Sequence, residues 1–96
     1  MGFVQIIKVS TGKFADLEAA HKEWLGATEG LRTVSRDMIC ENRDKPGEFF
    51  VIVEFPSYED AMRNNDLPAT ARIAEQMASL ADGPLDFVNL DVRRID

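Results

Sequence analysis

The 96 residues carry 17 acidic against 11 basic side chains, a formal net charge of −6, and 45% are hydrophobic. That balance suits a folded globular domain and argues against nucleic acid or an anionic membrane as the main partner, since both reward clustered Lys and Arg. No apolar run approaches the roughly 20 residues of a membrane span, and the single Cys40 cannot form an internal disulfide, so a cytoplasmic location is the expectation.

Along the chain, residues 3–9 read as a strand. Phe3, Gln5, Ile7 and Val9 share one face and Val4, Ile6 and Lys8 the other, because strand side chains alternate. Both faces are apolar enough for a strand covered on two sides. Ser10-Thr11-Gly12 breaks it and offers hydroxyls to cap a helix. Over residues 13–28, Phe14, Leu17, Trp24 and Leu25 recur at helical spacing, with Asp16, Glu18, Lys22 and Glu23 largely opposite. His21 stands four residues after Leu17 and three before Trp24, at the apolar stripe or its margin. Gly30 is the expected stop.

Residues 33–42 predict a second strand, with Val34, Arg36, Met38 and Cys40 on one face and Ser35, Asp37, Ile39 and Glu41 on the other. Pro46-Gly47 suits a type II turn, because Pro presets the first φ and Gly accepts the positive second one. The third strand, residues 49–55, is apolar on both faces: Phe49, Val51, Val53 and Phe55 against Phe50, Ile52 and Glu54. Ser57-Tyr58-Glu59-Asp60 resembles a capping box, and Asn64-Asn65-Asp66-Leu67-Pro68 should break the helix it opens. A second helical piece from Pro68 carries Ile73, Met77 and Leu80. Asp82-Gly83-Pro84 stops it, and residues 85–95 form a last strand with Val88, Leu90 and Val92 on one face.

The order β-α-β-β-α-β predicts one α+β, ferredoxin-like domain over residues 1–96, with a four-stranded antiparallel sheet and both helices on the same face. The second apolar set of the central strands is then bare, a larger patch than monomers tolerate. A homodimer through that open sheet face is expected.

His21 is the only imidazole, so it is the simplest general base near neutrality; the alternative is a structural histidine on an amphipathic helix. Arg36 is a candidate to hold an anionic or enolate oxygen, or else to pair with Glu54, itself a carboxylate-base candidate. Trp24, Met38, Phe50, Tyr58, Met62, Met77 and Phe87 are candidate walls of an apolar pocket, or plain core. Asn65 and Asn89 are the polar groups expected at its mouth, with Asn89 a second oxyanion candidate. One His and one Cys do not make a zinc or iron set, and no phosphate loop, nucleophile elbow or dinucleotide fingerprint calls for a cofactor.

The whole-chain order, together with Val53-Glu54-Phe55-Pro56-Ser57-Tyr58-Glu59-Asp60-Ala61-Met62 crossing from the third strand into a short helix, resembles the antibiotic biosynthesis monooxygenase-like proteins of the dimeric α/β-barrel superfamily. The run Asp82-Gly83-Pro84-Leu85-Asp86-Phe87-Val88-Asn89-Leu90-Asp91-Val92 looks like the ending of small actinobacterial members. The resemblance implies a homodimer with a pocket between sheet and helices in each protomer. It also implies an activity such as cofactor-independent oxygenation of an aromatic or polyketide-type metabolite, or haem degradation. Two departures are plain. Glu54-Phe55-Pro56 stands where many members have Glu-x-Trp, and Asn65 stands where they tend to have a His in the following helix. Two readings follow: an enzyme with His21 as base and Arg36 or Asn89 on an oxyanion, or a non-catalytic dimer that binds a hydrophobic small molecule. The catalytic reading requires a sizeable cavity between the first helix and the sheet that reaches His21, and fails if Trp24, Phe87 and Met77 fill that space.

Overall fold

In the computed structural model, which describes residues 2–96, the elements are β1 (Phe3–Ser10), α1 (Phe14–Ala27), β2 (Arg36–Glu41), β3 (Glu48–Phe55), α2 (Tyr58–Asn65), α3 (Pro68–Leu80) and β4 (Asp86–Asp91). The strands form one antiparallel sheet in the order β2-β3-β1-β4. This is the ferredoxin-like arrangement, with the second helix divided at Asn64–Pro68 because Pro68 has no N–H to continue the ladder and takes the first helical position of α3.

Local chemistry explains the boundaries. Gly47 has φ +90° and the Glu48 amide donates to the Lys45 carbonyl at 3.2 Å, as the type II turn between β2 and β3 requires. Ser57 Oγ accepts from the Asp60 amide at 3.1 Å and donates to its carboxylate at 2.9 Å, so the cap closes through the two side chains. Thr11 accepts from the Lys13 amide and donates to the Leu80 carbonyl, tying the start of α1 to the end of α3. Helix α1 stops at Ala27, short of Gly30. Thr28 turns its hydroxyl back onto the Trp24 carbonyl at 2.7 Å, and Gly30, with φ +77°, sits in the turn beyond. The last strand is shorter than residues 85–95. The Val92 amide donates to the Gly2 carbonyl at 2.9 Å, just past the last strand pair, Phe3 with Asp91.

The register decides the faces. Phe3, Ile7 and Val9 of β1 lie opposite Phe55, Val51 and Phe49 of β3, these six and Val53 are buried, and Leu17, Ala20, Trp24, Ala61, Ile73 and Met77 cover them from the helices. On the outer face, Met38, Ile52, Ile6 and Val88 form one row across the four strands. Val4 and Leu90 flank it on one side and Phe50 and Cys40 on the other, with the Arg36–Glu54 pair and Lys8 near Asp86 at opposite corners. No helix covers this face, and Val88 and Leu90 are exposed.

Candidate functional site

Between the sheet and the helices lies a cavity of about 290 Å³, close to the lower size of small-molecule sites, roughly 300 Å³. Its floor is Ile7, Ile39, Val51, Val53 and Phe55, and its roof is Leu17, Trp24, Ile73, Ala74 and Met77. The walls are thus apolar because both layers turn their inward periodicity to the same space. Ala71 and Ala74 of α3 leave room there, since a larger side chain at either position would enter it. At the rim Phe87, 51% exposed, extends the wall from β4.

Five polar side chains reach this space: Gln5, His21, Asn64, Asn65 and Thr70. His21 projects from the third turn of α1, its ring 5.5 Å from that of Trp24. Its Nε2 lies 3.3 Å from Asp37 Oδ1 on β2, and both side chains are only 15% exposed. A carboxylate only accepts, so the contact suits a ring that carries its proton on Nε2. Trp24 in turn donates its indole N–H to Thr70 Oγ1 at 3.0 Å, while the Arg32 guanidinium stands 5.7 Å from its ring centre and donates to the Leu25 carbonyl.

Asn64 is 4% exposed, and its Oδ1 has no hydrogen-bond partner. A buried acceptor left unpaired costs about 1–3 kcal/mol, and lining a cavity is a reason for such a group to persist. Helix α2 brings it inward because Ala61, three residues earlier, is the other buried position of that short helix.

Of the residues singled out from the sequence, His21, Trp24, Asn65, Met77 and Phe87 line the cavity. The others do not. Arg36, Met38, Phe50 and Glu54 belong to the outer sheet face, because β2 and β3 were equally apolar on both sides and only the pairing Arg36↔Glu54, Met38↔Ile52, Cys40↔Phe50 assigns them. Arg36 Nε donates to Glu54 Oε2 at 2.7 Å, the ion pair that was the alternative for both. Asn89 is exposed and accepts from Gln5 Nε2 at 3.1 Å, so it braces a lining residue from the rim. Tyr58 packs edge-on against Phe3, 5.4 Å between centres, and Met62 packs on the core behind the cavity. Asp37, Asn64, Thr70 and Gln5 are the polar lining or supporting groups that spacing alone did not select. The usable signals were the inward alternation of Asp37 with Ile39 and the three-residue step from Ala61 to Asn64.

Among the described residues no group of three or more His, Cys, Asp or Glu could hold a metal ion, and no helix is long and apolar enough to cross a membrane.

No protein-family model matches the chain, and no curated protein matches it. Solved structures do. SnoaB of Streptomyces nogalater, a cofactor-independent oxygenase studied as an asparagine-to-alanine variant, superposes with a TM-score of 0.82 at 14% identity, over 98% of this chain and 95% of that one. An antibiotic biosynthesis monooxygenase matches with a TM-score of 0.77 at 14% identity, over 98% and 100%. A dimeric ferredoxin-like protein of unknown function from Jannaschia sp. CCS1 matches with a TM-score of 0.81 at 14% identity, over 96% and 100%. At such identity the likeness is one of fold: the chain has the ferredoxin-like fold of the antibiotic biosynthesis monooxygenases. The Streptomyces and Jannaschia structures match at the same identity, so the special likeness to actinobacterial members finds no support.

Proposed function

We propose that the chain is a cofactor-independent enzyme, of the monooxygenase type, acting on a small aromatic or polyketide-type metabolite in the cavity under α1. The observation that carries this reading is the combination of apolar walls with His21 held by Asp37 and Asn64 left unpaired. A flat apolar ring would be desolvated between Trp24 and the sheet. His21 would accept an acidic proton from it, and Asn64 would hydrogen-bond an oxygen substituent. The electron-rich anion formed in this way is itself the reductant of O₂. A ring carbon is oxidised to a carbonyl carrying one oxygen atom, and the other oxygen leaves as water with the two hydrogens that the substrate gives up, so no resident cofactor is needed. SnoaB, on the same fold, is a cofactor-independent oxygenase. Imidazole and indole are both present as this chemistry asks, although they come from α1 and not from the third strand and second helix.

The assembly proposed with it is a homodimer through the outer sheet face. Support comes from the four-residue apolar row Met38, Ile52, Ile6 and Val88, from the exposure of Val88 and Leu90, and from the Jannaschia protein of this fold, which is described as dimeric. Haem degradation is not favoured, because Asn65 stands where the resemblance has a histidine in the helix after the third strand; added haem is expected to leave the Soret band unshifted.

The deciding experiment is oxygen uptake with a panel of hydroxylated aromatics of one to four rings. Uptake that falls by about 10²-fold or more in a folded His21→Ala variant supports the enzyme. Saturable quenching of the single Trp24, equal in both proteins and without oxygen uptake, would establish the non-catalytic binding module instead.

A further inference from the structure

Asp37 is an acid on the inward side of an edge strand. It lies opposite Val53 in the β2–β3 ladder and alternates with Ile39, which lines the cavity. A carboxylate that is only 15% exposed loses hydration, and such a group is retained where it has a partner. Its partner is His21 Nε2 at 3.3 Å. An inward charge on an edge strand has a second known use, to discourage pairing with another chain, so the two roles need separating.

We propose that Asp37 is the positioning residue of His21: it holds the neutral imidazole as the Nε2–H tautomer, leaving Nδ1 as the nitrogen that takes the proton from a ligand. The proposal rests on the reading of His21 as the base of the cavity and adds to it which nitrogen acts and what directs it. The geometry supplies three constraints. Asp37 fixes one end of the ring by accepting from Nε2. Trp24, itself anchored on Thr70, packs beside the ring and limits its rotation. His21 and Asp37 come from α1 and β2, elements whose relative position is set by the core and not by a mobile loop. In the transfer, the O–H or C–H bond of the ligand breaks, its electron pair stays on the ligand, and the proton bonds to Nδ1. The resulting imidazolium keeps its Nε2–H on the Asp37 carboxylate, whose negative charge offsets the new positive one. No oxidant or reductant enters this step.

The chain has one histidine, so an untagged protein labelled with nitrogen-15 histidine gives a one-residue spectrum. At about pH 8.5, where an ordinary imidazole with a pKa of about 6.5 is neutral, His21 is expected to show a protonated Nε2 and a pyridine-type Nδ1. In Asp37→Asn, a near-isosteric change, the two resonances should move toward the averaged values of an exchanging or reversed tautomer. A wild-type spectrum with Nδ1 protonated, or a tautomer unchanged in Asp37→Asn, overturns the proposal and leaves Asp37 as an edge-protecting charge. If Asp37→Asn does not fold, Asp37→Ser, which removes the carboxylate with a smaller side chain, serves as the second variant with the same two outcomes. A second arm uses para-nitrophenol, which has an acidic proton, and para-nitroanisole, which has none, each followed by quenching of Trp24. Asp37→Asn should weaken the phenol by about tenfold, the worth of one hydrogen bond to a charged group, and leave the ether unchanged; equal weakening of both overturns the positioning role. Failure of either probe to bind the wild type would count against the ligand site under α1, whereas the nitrogen spectrum of the free protein still decides the role of Asp37.

Discussion

The indole N–H of Trp24 donates to the hydroxyl of Thr70 at 3.0 Å, joining α1 to α3 across the roof of the cavity. The contact ties the two helices to each other over the space they cover. Thr70→Val keeps the shape and removes the acceptor. The indole N–H is then left without its partner, at a cost of about 1–3 kcal/mol. Urea unfolding followed by far-UV circular dichroism should show that loss, and a stability equal to wild type would mean that water replaces the hydroxyl at no cost.

Asn64 reverses the usual relation between a buried polar group and stability. Its Oδ1 has no partner, so Asn64→Leu gives up no hydrogen bond to that atom and removes a penalty of about 1–3 kcal/mol. The melting temperature is expected to stay level or rise while binding of hydroxylated aromatics, read by Trp24 fluorescence, falls about tenfold. A large drop in melting temperature would place Asn64 among the packing residues instead.

Val51 and Ile52 are neighbours in β3 that face opposite ways, Val51 into the core and Ile52 into the middle of the outer apolar row. Ile52→Asp should therefore leave a folded 10.8 kDa monomer, whereas Val51→Asp should not fold, since it buries an unpaired charge. Sedimentation equilibrium at micromolar concentration tests both the variant and the wild type. A wild-type monomer would refute the dimer.

Glu48, buried at the start of β3, accepts from Asn42 Nδ2 at 3.0 Å and lies 3.3 Å from Lys45 and 3.5 Å from Lys8. The Asn42 hydrogen bond, with help from the two ammonium groups and against the effect of burial, holds its carboxyl below the ordinary glutamate value. A depressed pKa means that the unfolded chain binds the proton more readily, so this contribution to stability is complete above the ordinary glutamate pKa of about 4.3 and is lost as pH falls through the lower, folded value. Denaturant titrations between about pH 6 and pH 3 should show a steeper acid loss for the wild type than for Glu48→Gln. Parallel pH profiles would show that Glu48 is not a source of the slope.

The element order, the Pro46-Gly47 turn, the Ser57 cap and the Pro68 break were legible in the chain because each depends on residues within a few positions of one another. His21, Trp24 and Met77 were legible as inward residues for the same reason: helical spacing places them with Leu17 and Ile73. Arg36, Met38, Phe50 and Glu54 were not, because β2 and β3 carry apolar residues at both parities and alternation separates two faces without saying which one the helices cover.

What the sequence by itself determined is therefore the periodicity of each element, its caps and turns, and the excess of apolar surface on the sheet, all of which follow from short-range geometry. Only the tertiary structure decided which parity faces the helices, through the register of Phe3 with Phe55 and of Arg36 with Glu54. That choice brought Asp37 to His21 from 16 residues away and put Asn64, not Asn65, in the buried position. A contact between elements depends on how whole layers pack, and no spacing along one strand or helix encodes it.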